Sequence, residues 1–151
     1  LHCSSMAVKH CAWEYVPQGV TSAQMSLYYT LAAMAHDGEV LTEQFAESRL
    51  ADPQLLAFMR RIRIEADPVY DKGADATRHQ SRMSVTTVDG RRIEKDAPLR
   101  KGSPEFPMTE AERHAKFRRL AGLNRPVKLM IGGITGWQDE GFPLIASPAV
   151  T

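Results

Sequence analysis

Cysteine is scarce in this sequence: only Cys3 and Cys11 occur among 151 residues. They form neither a Cys-x-x-Cys pair nor a metal-finger spacing, which excludes a disulfide framework or a zinc module as the organising principle. Both are expected to be free thiols. An excess of either charge is missing as well. Nineteen Lys and Arg against 18 Asp and Glu leave a formal charge of +1, so bulk electrostatic capture of nucleic acid is excluded. No apolar run approaches the roughly 20 residues that a membrane-spanning helix needs. The opening Leu1–Met6 lacks the basic start and apolar stretch of a signal peptide. A soluble, cytoplasmic protein that binds neither nucleic acid nor membrane is the expectation. Internal repeats and low-complexity tracts are absent too.

What is present reads as one ordinary globular domain. Hydrophobic residues make up 43% and charged residues 25% of the chain, and the length suffices for one core but not for two. Val8 and His10 alternate with polar neighbours within Met6–Tyr15, which suggests a strand. Pro17-Gln18-Gly19 breaks the chain. Thr21-Ser22-Ala23-Gln24 has capping-box spacing, and Ala23, Leu27, Leu31 and Met34 follow at helical intervals as a buried stripe. Gly38 stops that helix near Asp37. A short helix over Thr42–Glu47 is anchored by Phe45. Asp52-Pro53 is an N-cap followed by proline at the first helical position, opening a helix to about Arg61 with Leu55, Leu56 and Met59 inward.

The period then changes to two. Ile62, Ile64 and Ala66 alternate with Arg61, Arg63 and Glu65, as in a half-buried strand. Pro68–Thr77 is a polar loop. Met83, Val85 and Thr87 alternate again, Asp89-Gly90 suits a type I′ turn, and Arg91–Lys95 returns antiparallel. After a Pro- and Gly-rich loop over Ala97–Pro107, Thr109 and Glu112 form a second capping box. It starts a helix to about Ala121 with Phe117 and Leu120 inward. Helices mixed with an antiparallel hairpin predict an α+β fold.

Three stretches in this order resemble the MmgE/PrpD family: PQGVTSAQMSLYYTLAAMAHDGEV at Pro17–Val40, SVTTVDGR at Ser84–Arg91, and KGSPEFPMTEAERHAKFRRLAG at Lys101–Gly122. The resemblance covers about residues 6–122. It implies relatives such as 2-methylcitrate dehydratase, cis-aconitate decarboxylase and iminodisuccinate epimerase, which act on small di- and tricarboxylates without metal or organic cofactor. It also implies a large helical domain and a smaller α+β domain, with the active site between them and most acid/base residues on the helical one. Only the smaller domain matches here, as residues 1–122. The segment Arg125–Ile145, RPVKLMIGGITGWQDEGFPLI, resembles instead the C-terminal end of a rhodanese domain. Residues 123–151 are therefore expected to be an appended tail, and sulfur transfer is not expected because no cysteine follows Cys11.

Carboxylate binding calls for cationic or hydrogen-bonding partners. Arg78, His79, Gln80 and Arg82 gather just before the hairpin; the resemblance implies that this region faces the interdomain cleft, and a solvated strand edge is the plainer alternative. Lys101, beside the conformationally free Gly102, is a further candidate, against simple punctuation before a helix. Tyr28 and Tyr29, off the apolar stripe, either reach the cleft or pack at an interface. Trp137 and Phe142 anchor the tail. His114 and Glu110 suggest a surface pair, and no set of histidines has metal-ligand spacing. Two functions follow as expectations: a truncated, self-associating homo-oligomeric domain that is not catalytic alone, or a lyase or isomerase of a small carboxylate completed by a helical-domain partner chain.

Overall fold

The computed structural model describes residues 1–72 and 79–120. Two compact units divide the chain, Leu1–Pro107 and Met108–Thr151. The first is α+β, as its mixed periodicities predict.

Its chain begins with a two-residue strand, β1 (His2–Cys3), and then a helix, α1 (Ser5–Cys11). A strand over Met6–Tyr15 is thus corrected to a helix. Ser4 is the reason: its hydroxyl accepts from the Ala7 amide at 3.2 Å and turns the backbone into helix one residue after the strand ends.

The helix expected from Thr21 to Asp37 is two helices, α2 (Val20–Gln24) and α3 (Leu27–Asp37). Thr21 is not the cap. Gly19, at φ 132°, holds that position, a conformation that glycine adopts without steric cost. Ser26 then interrupts the helix and restarts it, its buried hydroxyl accepting from the Tyr29 amide at 3.2 Å. The restart rotates the stripe. Ala23, Tyr29, Ala32 and Ala33 are wholly buried, whereas Met34 is exposed. Gly38 ends α3 in the left-handed region at φ 74°, donating to the Met34 carbonyl, as a helix-terminating glycine does.

A 3₁₀ turn at Glu43–Phe45 and a short helix, α4 (Glu47–Leu50), replace the helix expected over Thr42–Glu47. Phe45 does anchor them: its ring lies 5.7 Å from that of Tyr29. Asp52 caps α5 (Pro53–Met59) through the Gln54 amide at 2.9 Å. Leu55 and Met59 from α5 join Ala23, Tyr29, Ala32, Ala33 and Leu50 in one core, with Leu56 packed against it. The core thus lies within the helical half of the unit.

The sheet has the order β2-β1-β3-β4, with β2 (Glu65–Ala66), β3 (Ser81–Thr86) and β4 (Arg92–Ala97). The strand expected from Ile62 is only two residues long. Its partner β1 offers just His2 and Cys3, in parallel register with Glu65 and Ala66, and Ile62 packs on the helical core instead. β3 pairs with β4 antiparallel from Ser81↔Ala97 to Thr86↔Arg92. The connecting turn is not type I′. Among the described non-glycine residues none has positive φ, and only Gly90 in the turn does, at 83°. The Thr87 amide donates to the Arg91 carbonyl, and the Gly90 amide to the Thr87 carbonyl, each at 2.9 Å. This is a three-residue loop closed by a left-handed glycine.

The pleat sorts the sheet faces. Met83, Val85 and Ile93 share one face with Lys95, which sits opposite Met83, and Arg82, Asp96, Glu94 and Arg92 share the other. All three apolar residues remain exposed, between 37% and 46%.

The second unit contributes one described helix, α6 (Glu110–Leu120). Its capping box forms as expected: the Glu112 amide donates to Thr109 Oγ1 at 3.2 Å and the Thr109 amide to Glu112 Oε2 at 2.7 Å. Phe117 and Leu120 are exposed rather than inward, and α6 buries no residue. His114 Nε2 and Glu110 Oε1 lie 3.7 Å apart, the expected i,i+4 pair.

Candidate functional site

The antiparallel register places the residues before β3 and after β4 at one end of the hairpin, opposite the Gly90 turn. Most of the candidate residues gather there. His79 Nε2 and Arg100 Nη1 are 3.2 Å apart. Arg82 sits opposite Asp96, and its Nε donates to Asp96 Oδ1 at 2.8 Å. That bond, then the charge of Asp96, raises the Arg82 pKa further above its ordinary value. Gln80, half-buried, leads directly into β3. Arg78 lies outside the described residues.

Lys101 belongs to the loop that leaves β4. Its ammonium lies 4.5 Å above the Phe106 ring, a cation–π contact. Gly102, at φ 90°, donates to the Phe106 carbonyl at 2.7 Å, and the Ser103 hydroxyl accepts from the Phe106 amide at 3.2 Å. Together these fold Lys101–Phe106 into a closed turn around the buried Ser103. Backbone hydrogen bonding, then the Ser103 side chain, holds the Glu105 carboxyl below its ordinary pKa.

Arg100 is the residue that sequence reasoning missed. The signal was available. Counting back from the Asp89-Gly90 turn along the antiparallel register sets position 100 opposite the 78–79 pair, next to Lys101. The resulting edge offers guanidinium, imidazole and ammonium groups to an anion. It also carries the carboxylates of Asp96 and Glu105, and Arg82 is already held by the first of them.

A second feature lies elsewhere in the same unit. A groove of about 760 Å³ runs between the outer surfaces of α3 and α5 and the edge of β3. Leu31, Met34, Phe58 and Ile62 form its helical wall, and Met83–Val88 its sheet side. His79, Gln80, Arg82 and Lys101 do not line it. Its titratable lining side chains are His2, Arg61, Arg63 and Glu65, with His2 Nδ1 3.8 Å from Glu65 Oε2.

The tyrosines separate clearly. Tyr29 is wholly buried and donates to the Gln44 carbonyl at 2.6 Å, so it belongs to the core of the helical half. Tyr28 is half-buried and packs against the same core. Cys3 is buried and Cys11 half-buried, both as free thiols. Burial is the main cause that raises the Cys3 pKa, the opposite of what a nucleophilic thiolate needs. Among the described residues no three His, Cys, Asp or Glu side chains are placed to hold a metal ion, and no helix is long and apolar enough to cross a membrane.

No curated protein matches the chain. The segment Arg125–Ile145, with its likeness to a rhodanese end, lies outside the described residues. A family model for the MmgE/PrpD C-terminal domain matches residues 1–126, covering the helical core, the sheet, the cationic hairpin base and the capped helix α6. The chain therefore belongs to the MmgE/PrpD family, as its C-terminal domain.

Proposed function

We propose that this domain is not catalytic alone and that it self-associates to cover its sheet. The observation behind this reading is the exposed apolar face of the hairpin, Met83, Val85 and Ile93. Apolar surface grouped in this way is used in contacts between chains. The candidate substrate residues add support. Arg82 is neutralised by Asp96, and His79 is turned to Arg100, so neither is poised as a general base in a water-excluding site. Light scattering on the eluting protein across a hundredfold concentration range tests this. A homodimer or larger species is expected, and Val85→Lys with Ile93→Lys shifts it toward monomer. A monomer at the highest concentration refutes the proposal.

One arrangement favours a second reading, turnover of a small di- or tricarboxylate together with a helical-domain chain. His79, Arg82, Arg100 and Lys101 converge on one end of one hairpin. A carboxylate that binds only the folded state raises stability by about 2.7 kcal/mol at a hundredfold excess over Kd. A saturable thermal shift with citrate, 2-methylcitrate or cis-aconitate, lost in Arg100→Ala, supports this reading; no shift with any of them removes it.

A further inference from the structure

We draw no further inference here: the strongest candidate, the apolar groove between α3, α5 and β3, lies in line with β1, and nothing in the structure shows what covers it.

Discussion

Removing one oxygen atom from the centre of the helical half should lower its stability out of proportion to the change in size. Tyr29 is the largest wholly buried side chain described. Its ring packs against Tyr15 at 5.1 Å and Phe45 at 5.7 Å between centroids, and its hydroxyl donates to the Gln44 carbonyl at 2.6 Å. Tyr29→Phe keeps the ring and both aromatic contacts. It leaves the carbonyl of the buried Gln44 without this donor, which costs about 1–3 kcal/mol. For a unit of this size, each kcal/mol lowers Tm by about 4–8 °C. A loss of about 2 kcal/mol therefore appears in urea titration followed by circular dichroism as a lower midpoint with an unchanged slope.

Tyr28→Phe is the internal control. Tyr28 has the same chemistry one residue earlier, but it is half-buried at the edge of the core, and its replacement should change stability by less than about 0.5 kcal/mol. Equal effects from the two substitutions, both near zero, refute the reasoning: they would mean that water reaches the Gln44 carbonyl and that the helical half is not dry. A changed slope for Tyr29→Phe would refute it differently, by showing that the native state had loosened.

Two further outcomes follow from the same half of the unit. Burial, first among the causes, raises the pKa of Tyr29 and Tyr15 above 10.0; above that pH the native state keeps protons that the unfolded chain loses, so stability is full below about pH 10 and falls as pH rises through the folded values, and a flat alkaline limb in pH-dependent urea midpoints counts against this. Arg49→Met should cost about 1–2 kcal/mol, between exposed and buried ion pairs, because Arg49 spans Asp37 and Asp52 at 2.9 Å each; the deficit should shrink in 1 M salt, and a salt-independent deficit assigns the effect to packing instead.

Sequence patterns revealed elements wherever a local cap or turn decides the backbone. Gly38, Asp52-Pro53 and the Thr109–Glu112 box carry their geometry within four residues, and each stands as expected. Helical phase was less legible. A stripe through Ala23, Leu27, Leu31 and Met34 assumes an unbroken helix, and Ser26 resets the angle; serine prefers caps to helix interiors, which was the available sign. The exposure of Phe117 and Leu120 was not legible, because periodicity reports which face is apolar and not whether anything covers it. For the candidate site, the hairpin register brings His79 and Arg82 to the same end as Lys101, but the partners that engage them, Arg100 and Asp96, follow from cross-strand pairing, which the hairpin turn had to set first.

The two halves of the first unit differ in how they are sealed, and this difference bears on function more than any single residue. In the helical half, polar side chains close the gaps between elements. The Gln44 amide takes the Leu41 N–H at its oxygen and reaches Asp37 from its nitrogen, Asp37 receives Arg49, and Arg49 reaches Asp52, the cap of α5. Each partner is satisfied by another, so the gaps between these elements are closed, although Met34 on the outer face of α3 stays exposed. The sheet has no such closure. α1 covers the end near Cys3, which is buried, but β4 exposes all six of its residues, and Met83, Val85 and Ile93 are exposed on one face. Burying apolar area stabilises by about 25 cal/mol per Å². Covering Met83, Val85 and Ile93 would therefore favour the association proposed for the sheet. A test that places lysine on the core-facing side of α3 would report only on folding, whereas Val85→Lys acts on the exposed sheet face. If Val85→Lys dissolves an oligomer while the fold is kept, the chain associates by this face; if the oligomer persists, the face formed by Met83, Val85 and Ile93 is not the interface.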